Sequence, residues 1–511
     1  MSDKIMFIPL DERPCNYKYP ELIYKITLDN LIKPPLSILG NKKEPVAVDK
    51  LQKWILNNLE GISHLILSVD MLVYGGIIPS RIHQLDEKEI FSRLKFIEKI
   101  KDINPDMKIF AYNLITRVPS YNSDDEEPDY YKYHGADIAK YGYYSDLIKQ
   151  KLAEKKQKEE FEEIKSNIPD KVINDYLNRR EKNHALNKKV IDYVENNLID
   201  FLIFPMDDNS EYGFCAKERR KIIEKVYKKE LLDKIYSYPG ADEVGTVLTA
   251  RTFLDKNNYR PKVYIKYSSE KGRNIIPYLE DRPLEQTVKY QILAANGIVV
   301  DNSQEADYVL VVNTPTKKIL NSIKGWQSIL NMDDMIDPTR NLNEVVESIN
   351  YYLSKDLPVA VADVAVVNGS DQYLMQLLKN YNLITKLSAY GAWNTSSNTI
   401  GSVVAHANIL NYYQKDNSLT DKQKDLSNRY LFLRYLEDWG YQHVVRTEVN
   451  NKLDEYGLEY FNLKDKTDFI SNLIKDKLYK FRNENLDKFS YDFTIDMPWN
   501  RMFEVDIKIE K

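Results

Sequence analysis

Two adjacent carboxylates, Asp207 and Asp208, follow the apolar run Phe201–Met206 and precede Asn209 and Ser210. Carboxylates this close repel each other, so we expect one of them to have a raised pKa. A neutral carboxylic acid beside an ionised one is the pair that glycoside hydrolysis requires. The doublet therefore predicts catalysis, with Asp208 as the general acid and Asp207 as its orienting partner. The reverse assignment is equally compatible, because adjacent strand residues face opposite ways.

The same doublet is typical of two other arrangements. It could cap the N-terminus of the following helix, or it could supply ligands to a divalent-metal site together with Asp11 and Asp70. A metal site would make the protein a metal-dependent hydrolase, whereas a capping pair would be structural. All three interpretations are open at this point.

Other polar side chains also follow apolar runs and are candidates for substrate binding. Arg13 could hold Asp11 or Asp70 by a bidentate ion pair or bind substrate directly, and Trp393 could form the apolar floor under a sugar ring. Arg81 and Arg117 could bind an anionic group or pair with nearby acids. The predicted substrate-binding residues are Asp11, Glu12, Arg13, Asp70, Tyr74, Asn113, Arg117, Asp363, Trp393 and Asn394.

Eight short apolar runs end in polar residues, as buried parallel strands do. They are Ile5–Leu10, Leu65–Val69, Ile109–Tyr112, Phe201–Met206, Val263–Tyr267, Val309–Val312, Val359–Ala362 and Leu387–Tyr390. Helical patterns separate most of them, including Lys88–Ile103, Asn183–Asn197, Ala216–Ile235 and Pro283–Asn296. This alternation predicts an α/β fold, and the count of eight favours a (β/α)₈-like barrel with its site on one rim. The alternative is two doubly wound α/β domains split near Pro261.

The barrel interpretation assigns residues 1–404 to a catalytic domain with an insertion at 118–200. Within the insertion, Val118–Tyr144 has no clear period, so it is either a lid over the site or a solvated loop. Residues 405–511 are expected to form a mostly helical C-terminal region that ends in a strand pair, because Tyr491–Ile509 alternates apolar and polar residues.

The composition excludes several classes of protein. The 511 residues carry a formal net charge of −5, so the basic excess of a nucleic-acid binder is missing. Only Cys15 and Cys215 are present, no histidines pair at metal spacing, and no glycine-rich nucleotide motif follows a strand. No apolar run is long enough to span a membrane. We therefore expect a cytoplasmic protein with no cofactor, no resident metal, and neither nucleic acid nor membrane as a partner.

Five ordered motifs carry a resemblance to a known family. They are Pro9–Asn16, Ser68–Gly76 with Ser80-Arg81, Asp207-Asp208 with Tyr212-Gly213, Gly240–Gly245, and Gly391–Gly401. Together they resemble the bacterial domain-of-unknown-function family 4127 over roughly residues 4–410. The resemblance implies that these polar segments occur together, as parts of one site would. It implies no activity.

From the residues themselves we predict a hydrolase, and specifically a glycoside hydrolase acting on a small or amino-sugar glycoside. Its fold-level similarity is to barrel glycosidases with an acid carboxylate after the fourth strand. Two alternatives belong to other classes. One is a divalent-metal-dependent hydrolase, and the other is a non-catalytic sugar- or metabolite-binding protein with two α/β lobes.

Overall fold

The computed structural model describes residues 4–323 and 332–510, and the fold is stated for those residues. The strands are β1 (Lys4–Ile8), β2 (Ile62–Ser68), β3 (Lys108–Tyr112), β4 (Phe201–Met206), β5 (Ile235–Pro239), β6 (Lys262–Tyr267), β7 (Ile298–Val300), β8 (Tyr308–Asn313), β9 (Val359–Asp363), β10 (Ala389–Gly391), β11 (Asp492–Asp496) and β12 (Asp506–Glu510).

Helices connect most of the strands. They are α1 (Pro14–Tyr17), α2 (Tyr19–Tyr24), α3 (Val48–Asn57), α4 (Val69–Tyr74), α5 (Ile77–Ile82), α6 (Glu87–Leu94), α7 (Phe96–Ile103), α8 (Tyr131–Lys149), α9 (Lys155–Asn167), α10 (Asp170–Glu195), α11 (Phe214–Lys228), α12 (Val244–Lys256), α13 (Leu284–Ala294), α14 (Lys317–Ser322), α15 (Met332–Met335), α16 (Leu342–Leu353), α17 (Gln372–Asn380), α18 (Ser396–Lys415), α19 (Asp421–Arg434), α20 (Arg446–Asn450) and α21 (Thr467–Asn485).

The chain divides into two compact units. The first contains Met1–Glu12, Asn30–Gly245 and Leu279–Asp281, and the second contains Arg13–Asp29, Thr246–Tyr278 and Arg282–Lys511. The predicted domain boundary at residue 404 lies inside α18, in the second unit.

The first unit is built on a parallel sheet whose strands lie in the order β1-β2-β3-β4-β5. Its strands are apolar along nearly their whole length, and every residue of β4 is buried. Side chains that alternate between two buried faces must all be apolar, which is why these segments form continuous hydrophobic runs. Because all the strands are parallel, their carboxyl ends lie along one edge of the sheet.

The second unit contains another five-stranded parallel sheet, in the order β10-β9-β8-β6-β7. The strand β6 pairs with both β7 and β8, so the strand order reverses there, as it does in doubly wound sheets. The unit continues through α18, α19 and an unusually long π-helix at Tyr435–Val445. Its last two described strands, β11 and β12, pair antiparallel within the segment where the sequence predicts a strand pair. No helix within the described ranges has the length and apolarity needed to cross a membrane.

The preference for a single eight-stranded barrel is not supported, because the parallel strands form two separate sheets. The observed architecture agrees with the coarser prediction of an α/β protein and with the alternative of two α/β domains. All eight predicted runs contain strand residues. The strand β5 was missed, because its first residue was assigned to the predicted helix Ala216–Ile235 and the remainder to no element, and β7 was left out of the count. The count of eight was therefore two strands short.

Gly75 provides a test of the local packing at the carboxyl end of α4. It has φ 90°, and a Cβ at this position would lie 2.7 Å from Pro45 Cβ and 2.8 Å from the Val46 nitrogen. We predict that Gly75→Ala lowers the free energy of unfolding by about 2–4 kcal/mol, through backbone strain and overpacking. Urea unfolding measures the loss of stability. Faster hydrogen exchange in β1–β3 would show that the first unit is the part that is destabilised.

Gly457→Ala is the matched control, because Gly457 has φ 69° but nothing lies within 4 Å of a Cβ placed there. Only backbone strain remains, so we expect a loss of about 1 kcal/mol. Equal losses in the two variants would show that the contact with Pro45 contributes nothing.

Candidate ligand-binding site

A ring of charged side chains lies at the carboxyl edge of the first sheet. Arg81 donates from Nη1 to Glu126 Oε2 (2.7 Å) and from Nη2 to Asp207 Oδ2 (2.5 Å). Arg117 lies 2.9 Å from the same Glu126 oxygen through Nη2, and it donates from Nη1 to Asp208 Oδ2 at 3.1 Å. We call these five residues the charged ring. Their contacts run in the order Asp207, Arg81, Glu126, Arg117 and Asp208, and the peptide bond between Asp207 and Asp208 completes the ring.

Four different chain segments supply the charged ring. Arg81 is on α5, Arg117 follows β3, Glu126 lies in the irregular segment before α8, and the doublet follows β4. Both arginines are buried, at 5% and 8% exposure, so their charges need nearby acids. Glu127, from the same irregular segment, adds a fourth carboxylate 2.8 Å from Arg117 Nε. The structure thus brings together the two predicted catalytic residues and predicted Arg117.

The doublet has the electrostatics that its sequence predicts. Burial, and then the charge of Asp207, raise the pKa of Asp208 from 3.8 to about 7, against the opposing effect of Arg117. Asp208 also has φ 26°, a positive value that interrupts the strand-like alternation of side chains. This turn allows two consecutive carboxylates to bind arginines of one cluster. Asp208 therefore keeps its proton to a higher pH than an ordinary aspartate does.

A second carboxylate, Asp70, lies at the same edge in a network of amides. Its Oδ2 accepts hydrogen bonds from the Asn113 side chain (3.1 Å) and from the Leu114 backbone (2.8 Å). Asn113 in turn accepts one at 2.7 Å from Asn187, a residue of α10. Burial raises the pKa of Asp70 to about 6, although these hydrogen bonds and Arg81 oppose the rise. The predicted residues Asp70 and Asn113 are thus direct partners.

Two tyrosines lie near Asp70. The Tyr74 hydroxyl is buried without a hydrogen-bond partner in the described structure, and its ring stacks on His83 with the centroids 4.5 Å apart. Burial, and then the charge of Asp70, raise the Tyr74 pKa well above its ordinary range. Burial also raises the pKa of Tyr112, with the charges of Asp11 and Asp70 adding to it. Predicted Asp11 and Tyr74 therefore belong to the same edge.

Glu12 supports the surrounding loops. Its Oε1 accepts a hydrogen bond from the Lys42 backbone at 2.7 Å, and the Lys42 ammonium group forms an ion pair with Asp125. Asp125 precedes Glu126 in the irregular segment, so Glu12 and Lys42 help to fix that segment over the sheet edge. No direct role in ligand binding is needed to explain Glu12.

The other predicted residues belong to the second unit. The guanidinium of Arg13 lies 4.7 Å from the ring centroid of Trp499 and 3.7 Å from Glu504. Trp393 is only 4% exposed, so its indole could form the floor under a sugar only if the sugar were itself buried. Asn394, which follows it, has φ 61° and is partly buried.

Asp363, the last predicted residue, is fully buried and hydrogen-bonded. Asn313 donates to its Oδ1 at 2.8 Å, while the Asp371 backbone and the Tyr390 hydroxyl donate to its Oδ2 at 2.7 and 3.2 Å. Burial, and then the charge of Asp371, raise its pKa to about 7. In this arrangement Asp363 is a buried, hydrogen-bonded carboxyl group that supports the ends of neighbouring strands.

Sequence reasoning missed three groups of the first unit. Glu126 and Glu127 belong to an acidic run, Asp124–Glu127, that resembles an ordinary solvated loop. Asn187 lies in a charged helix with no local signal of a site. The acidic run could have been found by asking which segment neutralises Arg81 and Arg117. Asn187 has no comparable signal, because only the packing of α10 against the β3 loop places it there.

Within residues 4–323 and 332–510, no group of three or more His, Cys, Asp or Glu side chains is arranged to hold a metal ion. In the metal-dependent alternative, the ligands would be the carboxylates of Asp11, Asp70 and Asp207. Asp207 is paired with Arg81 instead, and Asp70 with backbone and amide donors.

The sequence model of one protein family, described as "Protein of unknown function (DUF4127)", matches residues 5–508. The chain belongs to this family. The match extends past the region of the five motifs and includes nearly all of both units. Searches of curated proteins and of solved structures gave no match. The family description names no reaction, so the function rests on the site itself.

Asp70 gives a pH-dependent test of the site. Its pKa is about 6 in the folded protein against 3.8 ordinarily, so between these values the folded state holds a proton that the unfolded state lacks. Its contribution to stability is therefore fully present below about pH 4 and is lost as the pH rises through 6, a change of about 3 kcal/mol. In Asp70→Asn we expect this fall to disappear.

The measurement is urea unfolding of parent and variant at pH 4.5 and pH 7. An asparagine keeps an oxygen that can accept the hydrogen bonds from Asn113 and Leu114. The variant therefore removes the ionisable group but keeps the hydrogen-bond network. The same pH dependence in both proteins would contradict the assignment.

Proposed function

We propose that the carboxyl edge of the first sheet binds a small ligand rich in hydroxyl groups, such as a sugar or polyol. The observation that carries the proposal is the state of the Asp207–Asp208 doublet. Each Oδ2 is held by an arginine, whereas neither Oδ1 has a hydrogen-bond partner among the described residues. The two side chains remain 19% and 17% exposed. A fixed and accessible carboxylate oxygen is a strong acceptor for a ligand hydroxyl.

Further polar groups at this edge support a ligand with several hydroxyls. The buried Tyr74 hydroxyl lacks a partner, and a buried polar group of this kind is stabilised when a ligand supplies one. Asn209, next to the doublet, also has a buried amide oxygen without a partner. These acceptors match donors spaced along a polyol. The presence of two α/β units agrees with the two-lobed sugar- or metabolite-binding protein considered from the sequence.

Substitutions in the doublet test the proposal. We predict that Asp207→Asn and Asp208→Asn each weaken binding of the best ligand in a panel of neutral sugars and polyols by about 10- to 100-fold. The titrations are run at about pH 8.5, above the Asp208 pKa of about 7, so that each variant loses one hydrogen bond to a carboxylate. Isothermal titration calorimetry measures the affinities, and far-UV circular dichroism checks that each variant folds.

Asp425→Asn is the matched control, because Asp425 also pairs with an arginine, Arg429 at 2.7 Å, but lies on α19 of the second unit. It should leave affinity unchanged. The proposal is wrong if no sugar or polyol binds, or if the doublet variants bind as the parent does.

A second candidate, glycoside hydrolysis, is favoured by one specific observation. Because its pKa is about 7, Asp208 keeps a proton near neutral pH and can donate it to a leaving oxygen, while its neighbour Asp207 is held by Arg81. In this mechanism Asp208 is the general acid. Asp207 orients the ligand, and the 2-acetamido group of an amino sugar acts as the nucleophile.

Aryl glycosides test this second function. If the parent hydrolyses one of them, Asp208→Asn should lower kcat by roughly 10²-fold or more, with a smaller effect on KM, since a general acid acts mainly in the transition state. The activity of the parent should fall as the pH rises above about 7, because Asp208 then loses the proton that it donates. Unchanged turnover in Asp208→Asn would exclude Asp208 as the acid.

A further inference from the structure

We infer that Arg81 and Arg117 form a binding site for an anionic group of the ligand. In the structure, the side chain of Glu126 occupies this site. The inference rests on the proposed function and narrows its ligand to acidic sugars, such as a sugar acid or a sugar phosphate. It concerns a residue, Glu126, that has no role in the hydroxyl-binding proposal.

The geometry of Glu126 is that of a bound carboxylate. A single oxygen, Oε2, contacts Arg81 Nη1 at 2.7 Å and Arg117 Nη2 at 2.9 Å. Two buried guanidinium groups that converge on one oxygen are a typical site for a carboxylate or phosphate. The second terminal nitrogen of each guanidinium remains bound, Arg81 Nη2 to Asp207 and Arg117 Nη1 to Asp208. The site therefore keeps its shape when Glu126 leaves.

Glu126 belongs to a segment that is held mainly by side-chain contacts, among them the ion pair between Lys42 and Asp125. No helix or strand is present between Arg117 and Tyr130, so few backbone hydrogen bonds must break for this segment to move. Glu126 remains 15% exposed, whereas the neighbouring Glu127 side chain is only 4% exposed and bonds Arg117 Nε. Glu126 is therefore the acid of the segment that an incoming anion can replace.

The charge balance also permits this exchange. Two arginines face four carboxyl groups, so an additional anion would be repelled if Glu126 stayed in place. A carboxylate that displaces Glu126 leaves the net charge of the cluster unchanged, and a phosphate adds at most about one negative charge. The hydroxyls of the same ligand then reach the doublet beside the arginines. The segment 118–130 consequently acts as a competitor that selects ligands bearing both an anionic group and hydroxyls.

Paired probes that differ only in the anionic group test this inference. Gluconate is compared with sorbitol, and glucuronate and glucose 6-phosphate with glucose, by calorimetry on the full chain. We expect Glu126→Gln to bind the acidic probes about tenfold or more tightly than the parent does, because a neutral amide competes poorly for two guanidinium groups. Affinity for sorbitol and glucose should not change. Arg81→Lys and Arg117→Lys should lose the preference for acids.

Asp125→Asn is the matched control within the same segment, since Asp125 forms an ion pair with Lys42. It loosens the segment without emptying the anion site, so its gain should be small and equal for acidic and neutral probes. In the parent, gluconate but not sorbitol should also increase hydrogen exchange of residues 118–130.

The outcomes separate the two proposals. If neutral probes bind but Glu126→Gln shows no selective gain for acids, or Asp125→Asn shows the same selective gain, this inference is wrong and the hydroxyl-binding function stands. If neither acidic nor neutral probes bind to any of these proteins, the proposed function fails as well.

Discussion

The neutralisation of two buried arginines is the constraint on which the carboxyl edge of the first sheet depends. An uncompensated guanidinium inside a protein costs several kcal/mol, so Arg81 and Arg117 can be buried only if acids meet them. Those acids come from the tail of β4 and from the irregular segment before α8. The ion pairs therefore fix the relative positions of segments more than a hundred residues apart in sequence, and they place the doublet at the same time.

The same interactions give the two doublet carboxylates different properties. Asp208 is buried beside a like charge, and its pKa rises to about 7 even though Arg117 contacts it. Binding to arginine uses one oxygen of each carboxylate and orients the other toward accessible space. In the proposed function, these second oxygens accept hydrogen bonds from the ligand.

The second unit shows the contrast. It also places an asparagine and an aspartate at the ends of neighbouring strands, where Asn313 bonds both Asp363 and Asp371. There every carboxylate oxygen has a donor: Asp371 is satisfied by Tyr373, Asn313 and Arg340, and Asp363 by Asn313, Tyr390 and the Asp371 backbone. A fully satisfied buried network stabilises one packing arrangement and has no acceptor left for a ligand. We therefore assign it to the architecture of the unit and not to binding.

The sequence by itself determined the α/β class, eight of the ten parallel strands and the position of the doublet, because continuous apolar runs and the polar residues that end them are local features. It did not determine the sheet to which each strand belongs. The short strand β7 and the position of β6 between β7 and β8 depend on hydrogen bonds between distant segments. The sequence raises the question of which acids neutralise Arg81 and Arg117, but only the tertiary structure identifies Glu126 as one of them, since an acidic loop looks the same whether it faces water or a buried arginine. Burial and pairing are properties of the folded chain, and local sequence patterns do not contain them.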